Sequence, residues 1–173
     1  MPLILSVMEQ AGVEFSALDR IAVTRGPGSF TGLRIGLAAA RGIGLAADKP
    51  VIGIDRFAIY REQIKTPDKN LLVVIDSKRS ELFCQFYPTN GEPEEPRMLT
   101  REEVASFLDK HKNTIVTADT LVMNTDFHPP SENESVTCAA LAAKTTPGDT
   151  AYLPRPLYIR PPDVTFPRAV KSA

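Results

Sequence analysis

The junction TRGPGSFTGLRIG, from Thr24 to Gly36, constrains the fold of this chain more than any other stretch. Before it, RIAVT (Arg20 to Thr24) is typical of a short buried strand, and after it the residues from about Thr31 to Ala47 are typical of a helix. Glycines and a proline between them predict a tight turn. Such a turn either exposes backbone N–H groups that bind an anion at the helix N-terminus, or lets chain segments pack closely.

The turn carries several groups that could contact an anion, namely Ser29, Thr31 and Arg34. The full motif consists of Arg25, Gly26, Pro27, Gly28, Ser29, Phe30 and Thr31, with Arg34 following in the helix. Its glycine spacing, G-x-G-x-x-x-G, differs from the dinucleotide fingerprint G-x-G-x-x-G, and no Lys-Ser/Thr pair closes it as in a P-loop. Nucleotide binding is therefore one alternative for this turn, and close packing is the other.

Small residues recur every four positions along the helix after the turn and predict a ridge that is almost without side chains. The ridge consists of Gly32, Gly36, Ala40 and Gly44, with Ile35, Ala39, Ile43 and Ala47 beside it. Each interior glycine costs about 1 kcal/mol relative to alanine, so something must offset roughly 3 kcal/mol for Gly36, Gly42 and Gly44. Close packing of another element would do so. The spacing allows the ridge to pack either against the chain's own sheet or against a helix of a partner.

The elements on either side of the turn predict an α/β lobe. Leu3, Ile4, Val7, Met8 and Ala11 have the spacing of an amphipathic helix that ends near Gly12. Pro50 to Ile54 predicts a second strand, and Asp55 can cap a helix that continues to Ile64. The order helix, strand, helix, strand, helix favours an α/β arrangement with parallel strands.

The pattern changes after residue 66, so we expect a first lobe of residues 1–66 and a second of residues 67–173. In the second, LLVVID and ELFCQFY (Leu71 to Asp76 and Glu81 to Tyr87) predict an antiparallel hairpin. Thr100 and Glu103 have capping-box spacing, Thr114 to Ala118 predicts a strand, and Ser135 to Lys144 a helix of small residues. The proline-rich end predicts an extended surface segment held by Leu157, Tyr158 and Ile159.

Composition argues against several functions. The net charge of -1 gives no global basic field for nucleic acid. Cys84 and Cys138 form no CxxC pattern, which favours a reducing, cytoplasmic setting without structural zinc. No apolar stretch is long and uncharged enough to predict a membrane span. His111 is expected to end its helix and Asp76 to close a turn, and we predict neither a catalytic residue nor a metal ligand.

A long segment, IAVTRGPGSFTGLRIGLAAARGIGLAADKPVIGI, closely resembles the signature of the TsaB (YeaZ) family. These are bacterial tRNA threonylcarbamoyladenosine biosynthesis proteins, grouped with glycoprotease-like (peptidase M22-like) proteins. VVIDSKRSELFCQFY is similar to the family's DARRGEVY-type hairpin, and PLYIRPPD to its C-terminal P-x-Y-L-R segment, so the resemblance extends to about Asp163. It implies an α/β fold of two ribonuclease-H-like lobes, as in the sugar kinase, heat-shock-protein and actin (actin-like ATPase) superfamily.

The resemblance also implies a function. Members of the family are regarded as noncatalytic subunits that pair with a TsaD-type catalytic subunit and a TsaE-type ATPase. Together these transfer a threonylcarbamoyl group to the tRNA adenosine beside the anticodon. The HxxxH metal motif of TsaD-type proteins is absent from this sequence. The resemblance therefore implies a dimerisation and activator subunit, with ATP and magnesium on partner subunits and tRNA reached only through the complex. An ATP-binding kinase-like enzyme and a glycoprotease-like metallopeptidase are the alternatives.

The resemblance further implies where partners bind. In the family, the first helix and the helix after the glycine turn pack against the equivalent pair of a partner, in homodimers and in TsaB–TsaD pairs. On this sequence the helices are Pro2 to Ala11 and Thr31 to Ala47. The implied interface consists of Leu3, Ile4, Val7, Met8, Gly32, Ile35, Gly36, Ala39, Ala40, Ile43 and Gly44. Full-length members begin with three further strands, so we expect a truncated first lobe with exposed apolar surface that is less stable or self-associates.

Overall fold

The computed structural model describes residues 1–64, 68–120, 127–130 and 133–159, and every structural statement below refers to these residues. The first half contains α1 (Pro2–Ala11), a single 3-10 turn (Phe15–Ala17), β1 (Ile21–Thr24), α2 (Phe30–Ala47), β2 (Val51–Ile54) and α3 (Arg56–Gln63). The second half contains β3 (Asn70–Asp76), β4 (Glu81–Tyr87), β5 (Arg97–Thr100), α4 (Arg101–Lys110), β6 (Thr114–Ala118), α5 (Glu134–Ala143) and a second 3-10 turn (Thr150–Tyr152). The predicted α/β class is confirmed.

Local sequence signals explain where the helices begin and end. α1 ends at Gly12, which has a left-handed conformation with φ of 64° that glycine adopts without steric cost. The Asp55 carboxylate accepts a hydrogen bond from the Ala58 N–H and caps α3. The predicted capping box before α4 is confirmed, because the side chains of Thr100 and Glu103 each accept a bond from the other's backbone N–H.

The first sheet has two parallel strands, β1 and β2, with Ile21 opposite Val51 and Thr24 opposite Ile54. The prediction of parallel neighbours is therefore confirmed. Helices α2 and α5 both pack against β1. Among the described residues, the outer edge of β1 has no strand partner. Its amides on that side are accordingly available for further hydrogen bonding.

The second sheet has the order β5-β4-β3-β6. Strands β3 and β4 form the predicted antiparallel hairpin, with Leu71 opposite Tyr87, and β3 pairs with β6 in parallel. Both faces of β3 are buried. Leu71, Val73 and Ile75 face the first hydrophobic cluster with residues of β2, α3 and α5, whereas Leu72 and Val74 face a second cluster with Val104 of α4. The edge strand β5 was not predicted.

The chain after α5 returns to the first sheet as an extended segment, residues 153–159, here called the strap. The Leu157 N–H donates to the Arg25 carbonyl at 2.7 Å, which fixes the strap beside the glycine turn. A Cβ on Gly53 would lie 2.7 Å from the Leu153 carbonyl oxygen, so the strap passes directly over a bare backbone position of β2. The predicted extension is confirmed for this part. The expected lobe boundary at residues 66 and 67 and the rest of the tail, residues 160–173, lie outside the described residues.

Candidate functional site

Successive residues of an α-helix are about 100° apart around its axis. With this spacing, about half of the circumference of α2 faces solvent and carries no charged residue. We call this surface the α2 face. It consists of Thr31, Gly32, Ile35, Gly36, Ala38, Ala39, Gly42, Ile43, Leu45 and Ala46. Ile35 is 66% exposed and Leu45 is 87% exposed. A Cβ added at Gly36 or Gly42 would meet no heavy atom within 4 Å. Among the described residues, the α2 face is therefore uncharged and mostly exposed, with only Ala39 and Ile43 partly buried.

The ridge that recurs every four residues does not lie on one exposed side. An α-helix turns about 40° beyond a full circle in four residues, so the ridge rotates toward the chain's own sheet. Ala40 is only 6% exposed. A Cβ on Gly44 would overlap Val51 Cγ2 and lie 3.0 Å from the Lys49 carbonyl oxygen. The expectation of one flat ridge is corrected here: Gly32 and Gly36 are exposed, whereas Ala40 and Gly44 pack within the chain.

Helix α1 presents a second apolar surface. All of α1 is described, and none of its residues is buried. Leu3 is 78% exposed and Val7 is also exposed, whereas Ile4 and Met8 are partly buried. On a helical projection the apolar residues of α1 cover a wider arc than one neighbouring element can bury. The structure thus leaves apolar side chains of both α1 and α2 in solvent.

The glycine turn is held by contacts within the chain. The Ser29 hydroxyl accepts a hydrogen bond from the Gly32 N–H at 3.2 Å and caps α2. Arg34 Nε donates to the Tyr158 hydroxyl at 3.0 Å, and its guanidinium lies 3.9 Å from the centre of the Phe30 ring. Arg25 lies 3.4 Å from the Asp55 carboxylate. Of the three groups proposed to contact an anion, Ser29 and Arg34 thus have partners, and Thr31 is exposed.

A cleft of about 740 Å³ lies between the glycine turn and the β3–β4 hairpin. Asp76, at the end of β3, closes the hairpin turn as predicted, since its carboxylate accepts hydrogen bonds from the Lys78 side chain at 2.8 Å and from the Lys78 N–H at 2.7 Å. These bonds hold the pKa of Asp76 below its ordinary value. Asp76 and Lys78 at this rim of the cleft therefore pair with each other.

Arg56 and Asp119, which line the cleft, belong to a polar cluster that the sequence did not reveal. Arg56 Nε and Nη2 donate to the two carboxylate oxygens of Glu134 at 2.9 and 2.6 Å. Nη2 also lies 3.2 Å from Asp119 and 2.7 Å from the Tyr60 hydroxyl. Burial opposes ionisation of Glu134, but the hydrogen bonds from Arg56 and Tyr60 outweigh it and hold the pKa of Glu134 below its ordinary value. Only the position of Arg56 directly after the helix cap could have drawn attention to it.

The two histidines do not form a reactive site in the described ranges. His111 ends α4 as predicted and stacks on Phe107 with ring centres 3.9 Å apart. The backbone of His128 is hydrogen-bonded to β6, since its N–H donates to the Val116 carbonyl. No group of three His, Cys, Asp or Glu residues in the described ranges could hold a metal ion. Within the same ranges, none of the helices is both long and apolar enough to cross a membrane.

Comparison with known proteins gives a consistent picture. The family described as "TsaD: tRNA N6-adenosine threonylcarbamoyltransferase" matches residues 1–107. The tRNA threonylcarbamoyladenosine biosynthesis protein TsaB of Escherichia coli K12 is 30% identical over 89 residues, which cover 50% of this chain and 38% of that protein. A tRNA N6-adenosine threonylcarbamoyltransferase of Lawsonia intracellularis is 45% identical over 78 residues, or 42% of this chain and 22% of that protein.

The solved structure of YeaZ from Pseudomonas aeruginosa has a similar fold. It superposes with a TM-score of 0.62 at 23% identity and covers 91% of this chain and 81% of that chain. This likeness supports the α/β fold expected from the sequence. The match to E. coli TsaB spans less than two thirds of that relative's length, as the coverage of 38% shows.

Proposed function

The chain belongs to the TsaD and TsaB (YeaZ) family of tRNA threonylcarbamoyladenosine proteins, and we propose that it is a noncatalytic dimerisation and activator subunit. Its partner in this proposal is a TsaD-type catalytic subunit, and the product of the complex is threonylcarbamoylated adenosine beside the tRNA anticodon. The observation that carries the proposal is the α2 face, an exposed helix surface without charge.

The energetics of α2 support this role. Gly36 and Gly42 each cost the helix about 1 kcal/mol relative to alanine, and no atom of the described chain packs over either position. Of the interior glycines of α2, Gly44 alone offsets its cost by close packing against other described residues, chiefly Val51. A partner helix that approaches the bare backbone at Gly36 and Gly42 would offset the remaining cost, because small residues permit a short distance between helix axes.

The exposed apolar side chains favour a protein partner over solvent. Leu3, Val7, Ile35 and Leu45 are all more than half exposed. Burying one such side chain fully contributes about 1.5–3 kcal/mol. Monomeric proteins rarely leave contiguous apolar surface of this kind uncovered. We propose that α1 and α2 together contact the equivalent helices of the partner, and that Ile4, Met8, Gly32, Ala39 and Ile43 also belong to this contact.

Further parts of the proposal follow from the sequence resemblance to the TsaB family. A TsaE-type ATPase would join the same complex, ATP and magnesium would bind on partner subunits, and tRNA would be reached through the complex. A homodimer that uses the same helices would be an alternative state of the free chain. The reducing environment that the two unpaired cysteines favour makes the cytoplasm the expected location.

The decisive experiment is coexpression with the TsaD-type protein of the same genome, followed by mass measurement of the purified complex. Ile35→Asp places a charge in the centre of the α2 face and should abolish the complex. Val136→Asp is the matched control, because Val136 lies on α5 and is 61% exposed, much like Ile35. Retention of the complex by both variants would refute the proposed interface, and absence of a complex with the unchanged chain would refute the proposed partner.

A kinase-like enzyme is the second candidate, since the cleft of about 740 Å³ borders the glycine turn. The bidentate pairing of Arg56 with Glu134 counts against it, because phosphate would have to displace that carboxylate to bind Arg56. Calorimetric titration of the isolated chain with magnesium-ATP tests this candidate. Tight binding would support it, and absence of heat at two temperatures would exclude it.

A further inference from the structure

Arg56 connects the glycine turn to the second half of the molecule through both its backbone and its side chain. The Arg56 N–H donates to the Gly26 carbonyl at 2.7 Å. Its Nη1 lies 3.3 Å from the Pro27 carbonyl oxygen. Two consecutive carbonyl groups of the turn that leads into α2 therefore accept hydrogen bonds from a single residue.

The opposite side of the same guanidinium binds the second half of the chain. Both oxygens of Glu134, the first residue of α5, accept bonds from Arg56, as described above. Asp119, directly after β6, lies within 3.2 Å of Arg56 through one carboxylate oxygen, and its other oxygen accepts the Asp76 N–H at 2.7 Å. Arg56 thus links the turn to the ends of β6 and β3 and to the start of α5.

The chemistry of this link depends on the shape of arginine. A planar guanidinium donates to a carboxylate in bidentate fashion and keeps further N–H groups for carbonyl oxygens in the same plane. Lysine keeps the positive charge but presents a single ammonium group, which cannot hold Glu134 by two parallel bonds and reach Pro27 as well. Arg56→Lys therefore separates the geometric role from the charge.

We propose that Arg56 is a positioning residue that holds the glycine turn, and with it the N-terminal part of the α2 face, in the orientation required for partner binding. This inference rests on the proposed function, because it names the α2 face as the partner surface. The residues affected first are those that follow the turn directly, Gly32, Ile35 and Gly36. The second half of the chain thereby contributes to partner binding without touching the partner.

The test uses the full chain and its TsaD-type partner. Arg56→Lys should weaken partner binding about tenfold in a calorimetric titration. Arg61→Lys is the matched control, because Arg61 lies on the same helix with its guanidinium 4.7 Å from the centre of the Tyr87 ring, away from the turn. It should leave the affinity unchanged. Equal affinity of the two variants would overturn the inference.

A second control separates positioning from loss of stability. Val104→Ala removes volume from the core cluster on the far side of the second sheet, where Val104 is fully buried. This variant should lower the unfolding temperature at least as much as Arg56→Lys and yet bind the partner normally. If the two variants lose affinity in proportion to their loss of stability, Arg56 is a purely structural residue and the inference is wrong.

A measurement on the free chain keeps the inference testable if the partner assignment fails. In amide NMR spectra, Arg56→Lys should shift the signals of Gly28 and Gly32, whereas Arg61→Lys should leave them in place. Unchanged signals in Arg56→Lys would overturn the positioning role. Shifted signals together with no binding by the unchanged chain would instead refute the proposed function and leave the positioning role intact.

Discussion

Replacement of Gly36 by leucine should change folding and binding in opposite directions. Gly36 lies in the interior of α2, and a Cβ there would meet no atom within 4 Å. Removing a glycine from an exposed helix interior gains about 0.5–1 kcal/mol. For a chain of this size, a gain of 1 kcal/mol raises the unfolding temperature by roughly 2–4 °C. We therefore expect Gly36→Leu to stabilise the monomer.

The same side chain should weaken the complex. A leucine added to a closely packed contact costs about 1–3 kcal/mol, which corresponds to a loss of affinity of roughly 5- to 150-fold. The assay pairs a thermal melt of the free chain, at a concentration where it is monomeric, with a calorimetric titration against the TsaD-type protein. A stabilised variant that binds poorly would be hard to explain by damage to the fold.

Gly44→Ala is the matched control on the same helix. Its Cβ would overlap Val51 Cγ2 and approach the Lys49 carbonyl oxygen to 3.0 Å, so the helical gain is outweighed and the monomer should be destabilised. Its effect on affinity should be small, because Gly44 is buried within the chain. The reasoning would be refuted if Gly36→Leu bound its partner as tightly as the unchanged chain while Gly44→Ala behaved as expected.

Three further predictions follow from other contacts. Because Leu3 and Val7 are exposed, the free chain should self-associate, and its unfolding temperature should rise with protein concentration; a constant temperature would contradict this. Arg20→Ala removes the guanidinium that donates to the carbonyl groups of Ala142 and Thr145 at 2.8 and 2.9 Å. It should lower the free energy of unfolding, measured by urea titration, by about 1–3 kcal/mol. An unchanged free energy of unfolding would mean that water replaces these bonds at the end of α5. Glu134→Gln should reduce the acid sensitivity of unfolding, because it removes a carboxylate that is stabilised in its ionised form in the folded chain.

The pH dependence follows from the lowered pKa of Glu134. An unfolded glutamate titrates near pH ~4.3, so the stabilisation by ionised Glu134 is fully present above that pH and is lost as the pH falls through the lower folded value. Arg56 and Tyr60 donate hydrogen bonds to this carboxylate, Asp119 contacts the same two residues, and Cys138 interacts with it electrostatically from the same helix. Below pH ~4.3, the unchanged chain should lose stability more steeply than Glu134→Gln; parallel curves would contradict this.

Elements with a local signal were predictable from the sequence. The hairpin of β3 and β4, the capping box at Thr100 and Glu103, and the strand-to-helix turn at Gly26 and Gly28 each depend on neighbouring residues and are confirmed. Strand β5 was missed because it is a short edge strand that directly follows prolines, and its pairing with β4 is decided by contacts distant from its own sequence.

The site was only partly predictable for two physical reasons. Counting in steps of four placed Gly32 and Gly44 on one line, whereas the helical repeat of about 3.6 residues separates them by about a third of a turn. The Arg56 cluster unites residues that are 63 and 78 positions apart, so no local motif announces it. The assignment of the α2 face to a partner stays a prediction.

Hydrogen exchange on the free and partner-bound chain tests the central claim most directly. If α1 and α2 contact a TsaD-type subunit, exchange should slow in residues 2–11 and 30–47 when the partner is added, and should stay unchanged in the α4 residues 101–110 on the opposite side of the second sheet. Slowing confined to the β3–β4 hairpin around the cleft, with α1 and α2 unaffected, would contradict the account.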